Sequence, residues 1–134
     1  MRAVRVNRFG GPDVLVIDNV ADPEPAAGQV LVDVGMAGVV YGDVIVRSGR
    51  YPLPLPWIPG IEVGGQVVAV GPDVDERLVG NTVVATTAGQ VGGYAERALA
   101  TVKQRIHQGS DDLGHCRDGD NDNGRHNNDH HDHQ

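Results

Sequence analysis

Few side chains in this sequence have both the type and the spacing to do chemistry. Tyr41 and Tyr51 each carry a ring that can stack on a flat conjugated ligand and a hydroxyl that can donate to it. Each also has a plainer reading: Tyr41 fills core at the start of a helix, and Tyr51 is a partly buried anchor packing on nearby prolines. Asp43 and Arg47 stand four apart, a spacing that makes an exposed ion pair on a helical turn. Glu62, within PGIEVGG, needs a partner if it is half buried, and a structural salt bridge accounts for it without acid–base catalysis. Near the C-terminal end, HNNDHHDH sets imidazoles and carboxylates close together and offers ligands to a transition metal. The same tract reads more simply as a solvated low-complexity end.

Composition narrows the classes of function. A chain of 134 residues holds one domain of ordinary size, and a net charge of -7 gives it no general attraction for nucleic acid or an anionic membrane. Cys116 is the only cysteine, so no intrachain disulfide can form and a cysteine-based zinc site lacks ligands. That usage suits a reducing compartment. MRAVRVNRFGGPDV contains no apolar run of signal-peptide length, and no stretch of eighteen apolar residues occurs. These features imply a cytoplasmic protein.

The elements that must position these residues are mostly strands. Valine occupies 21 of the first hundred positions, in short runs cut by Gly, Pro and Asp. The spacing predicts strands over 2–6, 14–20, 29–38, 63–71, 82–87 and 93–99, a barrel or sandwich. In QVLVDVGMAG, Val30, Val32 and Val34 fall on one face and Gln29, Leu31, Asp33 and Gly35 on the other, as expected of a strand with one buried side. A short helix is predicted from Tyr41 to Ser48, ended by Gly49. YPLPLPWIPG, with four prolines, reads as a stiff extended loop in which Trp57 packs rather than binds. Gly60, Gly64 and Gly65 around Glu62 suit either a sharply coiled strand or a close approach to a ligand.

After Ala100 the composition changes. Residues 101–134 hold all six histidines and seven aspartates and, beyond Leu113, almost no aliphatic side chain. Such a segment buries too little to offset its ordering entropy, and disorder is expected from about residue 108. The expected division is a folded domain over 1–100 and a polar tail over 101–134.

From Met1 to about Ala100 the sequence resembles the GroES-like catalytic domain that opens medium-chain dehydrogenases and reductases. FGGPDVL, DPEPAAGQVLVDV, AGVVYGDVIVRSGRYP, LPWIPGIEVGGQVVAVG, VGNTV and GGYAE follow in the family's order. RSGRYP, with the proline-rich loop and PGIE, points to the quinone-oxidoreductase-like branch. The resemblance implies a mainly β, partly open GroES-like barrel with a short helix. It implies too that Tyr41 and Tyr51 face a quinone or enone substrate and that Val40 lies at the nicotinamide, where the branch commonly has Asn.

In the family's zinc alcohol dehydrogenases a Cys stands at the position of Val40 and a His at that of Ile61; neither aliphatic side chain can ligate a metal. The implied chemistry is therefore zinc-independent, NADPH-dependent reduction of an acceptor that is already electrophilic. Family members bind NADPH on a second, Rossmann-type domain, and no strand, glycine-rich turn and helix follow here. The expectation is a chain inactive by itself, with an exposed apolar face that favours self-association or awaits a Rossmann half. The reading from another class is a non-enzymatic β-barrel module whose histidine-rich tail binds metal.

Overall fold

The computed structural model describes residues 1–89 and 91–102 and the backbone of residues 107 and 108. Two sheets carry the fold. Strands β1 (Arg2–Val6) and β2 (Leu15–Asn19) pair antiparallel as a ribbon. The second sheet has the order β6–β3–β4–β5–β7, all neighbours antiparallel, with β3 Gln29–Ala37, β4 Glu62–Val70, β5 Thr82–Thr86, β6 Arg97–Thr101 and β7 His107–Gln108. One α-helix, α1 (Tyr41–Arg47), interrupts the strands among the described residues.

Alternation decides which face is core. In β5 (TVVAT) Val83 and Ala85 are buried while Thr82, Val84 and Thr86 are exposed, the period of two that a one-sided strand must show. Val83 and Ala85 pack with Val30, Val32, Val67 and Ala100 in the main core. A smaller cluster of Val6, Val14 and Trp57 lies where β1 meets the proline-rich loop, which is held to that strand by a single bridge between Val6 and Trp57. Trp57 thus packs, as its proline-rich setting suggests.

The barrel stays open. Thr87 bridges to Ala100, and the Ala88 N–H donates to the Leu99 carbonyl at 2.9 Å, bringing β5 round to β6 without a continuous ladder. Sharp coiling of β3 against β4 makes this possible: the register shifts between Leu31 and Val32 and again between Val34 and Met36. At Gly65, opposite the second shift, a Cβ would lie 2.0 Å from the Asp33 carbonyl oxygen. Gly65 is therefore explained by backbone approach within the sheet, the coiled-strand alternative for that glycine.

Two expectations are corrected. Leu31 is buried along with Val30 and Val32, because β3 pairs on both edges and is bulged there, so strict alternation fails. The strand expected over 93–99 begins only at Arg97. The preceding glycines send their N–H groups across to the proline-rich loop, Gly92 to the Ile58 carbonyl at 2.9 Å and Gly93 to the Gly60 carbonyl at 2.7 Å. β6 ends at Thr101, and β7 pairs His107 and Gln108 with Val84 and Val83. The expected disorder from about 108, and the metal-binding tract at HNNDHHDH, fall outside the described residues.

Candidate functional site

Helix α1 is short and valine-rich, and intrinsic propensity alone would not hold it. Tertiary contacts do. Val46 packs against the Val6, Val14 and Trp57 cluster, and the turn ends where the Ser48 N–H donates to the Val44 carbonyl at 2.9 Å and Gly49 takes φ +81°. Its N-cap, Val40, is extended and offers no side-chain cap, so Asp43 in the first turn is free to point elsewhere.

Asp43 points inward. It is the one buried charged side chain among the described residues, 8% exposed. Its Oδ1 accepts from the Gly60 N–H and its Oδ2 from the Tyr94 hydroxyl, both at 3.3 Å. The expected exposed ion pair with Arg47 does not form; Arg47 instead donates from Nε to the Gly10 carbonyl at 3.4 Å. A buried carboxylate needs donors, and the Gly60 N–H and the Tyr94 phenol supply them. Burial raises the Tyr94 pKa above the usual tyrosine value, and the Asp43 charge and hydrogen bond raise it further, so the phenol stays protonated and donating.

Gly60 is the hinge of this arrangement. At φ +98° it adopts a conformation that favours glycine, and a Cβ there would lie 2.7 Å from the Tyr94 ring. Its carbonyl accepts from the Gly93 N–H and from Thr87 Oγ1 at 3.0 Å. Helix α1, the IPGIE turn and the GGYAE segment are thereby tied at one point.

Beside that point lies an apolar cleft of about 270 Å³, lined by Val39, Val40, Val44, Arg47, Pro59 and Tyr94 with Asp43 at its floor. Of the residues singled out from sequence, only Val40 and the two helix residues Asp43 and Arg47 line it. Tyr41 and Tyr51 are 68% and 65% exposed and stand outside this lining. Tyr41 therefore does not fill core, and Tyr51 is not a half-buried anchor. Glu62 is exposed as well and makes no ion pair among the described residues, so the condition for a salt bridge is not met.

Tyr94 is the contributor that sequence reasoning passed over. The glycines before it were the only local signal that the segment turns close to another backbone.

The GGYAE glycines do not form a phosphate cradle. Such a cradle needs free backbone N–H groups, and here Gly92, Gly93 and Tyr94 donate theirs to Ile58, Gly60 and Pro59. Val40 and Ile61, at the positions of the zinc enzymes' Cys and His, offer no lone pair, and no group of three His, Cys, Asp or Glu side chains converges among the described residues.

Comparisons with known proteins agree with this architecture. The family model of the alcohol dehydrogenase GroES-like domain matches residues 26–111. The chain is 47% identical over 103 residues to the quinone oxidoreductase of Lama guanicoe and 45% identical over 104 residues to that of Homo sapiens. Each match covers 75% of this chain and 31% of the relative, so the chain spans about a third of the length of these curated relatives. A mycobacterial protein solved with NADPH superposes with a TM-score of 0.76 at 37% identity, over 85% of this chain and 35% of that one. The Escherichia coli quinone oxidoreductase, also solved with NADPH, gives 0.72 at 30% identity, over 79% and 33%. The open barrel, the order of its motifs and these likenesses identify the chain as a member of the alcohol dehydrogenase GroES-like domain family, in the quinone-oxidoreductase-like branch of the medium-chain dehydrogenases and reductases.

Proposed function

We propose that this chain supplies the substrate-binding half of a zinc-independent reductase that uses NADPH to reduce quinones or enones. The observation that carries the reading is the apolar cleft between Val40, Val44, Pro59 and Tyr94, whose one buried charge is already bound to Gly60 and Tyr94. Such a cleft favours a flat, largely apolar acceptor, because its walls are mostly aliphatic and its buried carboxylate is already bound, with Arg47 the one cation on its lining.

NADPH, when bound, supplies the hydride. The residues present suit its nicotinamide end by shape alone: Val40 offers van der Waals contact and no hydrogen bond, and the backbone donors of GGYAE are consumed. What this chain does is bind and orient the acceptor and keep water from its apolar face. Tyr41 and Tyr51, exposed at the two ends of the α1 region, are proposed to stack on the acceptor or donate to its carbonyl oxygen once a larger assembly closes over them.

The partner this reading calls for is a Rossmann half or a second copy. Met36, Gly64 and Val84 share one row across β3, β4 and β5 on the outer face, with Met36 72% and Val84 57% exposed, and Val39 and Ile61 are exposed nearby in sequence. No helix among the described residues is long and apolar enough to cross a membrane; a cytoplasmic location accords with the single cysteine.

The test is a titration of the 15N-labelled chain with menadione, then addition of NADPH. Saturable amide shifts at Val40, Val44 and Tyr94 are expected, without NADPH oxidation. No shift at the cleft would overturn the substrate-binding reading, and turnover by the chain alone would overturn its status as a half-site.

A further inference from the structure

Tyr94 borders two cavities. One is the cleft of about 270 Å³ beside α1; the other, about 330 Å³, is lined by Ala3, Val4, Ile17, Val34 and the Arg2–Glu96 pair on the side of the β1–β2 ribbon. The backbone of Tyr94 is pinned on both flanks, its N–H donating to the Pro59 carbonyl at 2.9 Å and its carbonyl accepting from the Val4 N–H at 2.7 Å. The ring lies over Gly60, and its hydroxyl is latched to Asp43. With the backbone fixed, Tyr94 can move only by rotation of its side chain, and that rotation breaks the hydrogen bond to a buried carboxylate.

We propose that Tyr94 is a specificity-determining partition, held by Asp43, that limits the cleft to acceptors of about one or two fused rings. The inference rests on reading the α1 cleft as the acceptor site. Size supports it: sites that enclose ligands of drug size run from about 300 to 1,000 Å³, so the cleft alone is at the floor of the range while the two cavities joined lie well within it. The second cavity has aliphatic walls from Val4, Ile17 and Val34 beside the Arg2–Glu96 pair, whose charges already satisfy each other, so a longer planar ligand could extend along its aliphatic side. The phenol acts here as a wall, since its one proton is committed to Asp43.

Menadione, with two rings, and 9,10-phenanthrenequinone, with three, test this on the full chain by amide-shift titration of wild type, Y94F and Y94A. The wild type is expected to prefer menadione by about tenfold or more. Y94A is expected to erase most of that preference and to add shifts at Val4 and Ile17. Y94F, which keeps the ring and loses the latch, should fall between. If Y94A fails to fold, Y94L carries the same comparison. A preference unchanged in the alanine or leucine variant overturns the partition and leaves the acceptor cleft standing. If menadione shifts no cleft amide in any of these proteins, the acceptor cleft itself is refuted and the partition with it.

Discussion

The Asp43 carboxylate and the Gly60 N–H meet at 3.3 Å across the gap between α1 and the IPGIE turn, and Tyr94 completes the same acceptor from a third segment. Asp43→Ala would leave the Gly60 N–H buried without a partner and the Tyr94 hydroxyl without an acceptor. Such losses cost about 1–3 kcal/mol each where the group stays dry. Asp43→Asn keeps one acceptor oxygen and should cost less. Urea unfolding followed through Trp57 fluorescence measures the difference; equal midpoints for wild type and Asp43→Ala would refute the structural role given to this carboxylate.

Gly65 faces the Asp33 carbonyl so closely that Gly65→Ala must part β3 from β4. The predicted cost is about 3 kcal/mol or more, at or above the top of the usual overpacking range because the obstacle is backbone. Gly80→Ala is the control: nothing lies within 4 Å of its Cβ, but φ is +92°, so only backbone strain of about 1 kcal/mol is expected. Thermal melts of the two variants should separate clearly. Indistinguishable melting points would mean that the sheet yields at Gly65.

Much of this fold was legible because valine runs cut by turn formers report a period of two, and the five strands from β1 to β5 fall within a residue or so of where those runs place them. Leu31 and the start of β6 were not legible. Both depend on what lies on the second edge or face of a strand, and local periodicity carries no information about that. The site was less legible still. Asp43 and Arg47 present a local i, i+4 signal, whereas the partners Asp43 takes are 17 and 51 residues away. Tyr94 sits in a segment that reads from sequence as the start of the strand over 93–99, whereas β6 begins only at Arg97, and the place of Tyr94 beside two cavities follows from the fold.

Acid should weaken the protein through two exposed carboxylates. The hydrogen bond from the N-terminal ammonium holds Asp22 below its ordinary 3.8, and the backbone N–H of Arg2, followed by its side chain, holds Glu96 below 4.5. A carboxylate whose folded pKa is depressed contributes stability above its unfolded pKa, and that contribution fades as pH falls through the folded value. The loss should therefore begin as pH drops below about 4.5. Urea midpoints between pH 6 and pH 2.5 should fall less steeply in an Asp22→Asn, Glu96→Gln double variant. An identical acid limb would show that neither pair is linked to folding.

The outer row of Met36, Gly64 and Val84 predicts association. A methionine left 72% exposed beside a glycine gap and an exposed valine is an apolar surface with a dent in it, and water is readily displaced from such a place. Met36→Lys puts a charge there while changing an exposed side chain, so folding stability should move by no more than about 0.5 kcal/mol. Sedimentation velocity over a wide concentration range should show the wild type shifting to larger species and the lysine variant shifting less. If the wild type stays monomeric at every concentration, the surface is merely tolerated; if the variant associates as strongly, the contact lies elsewhere.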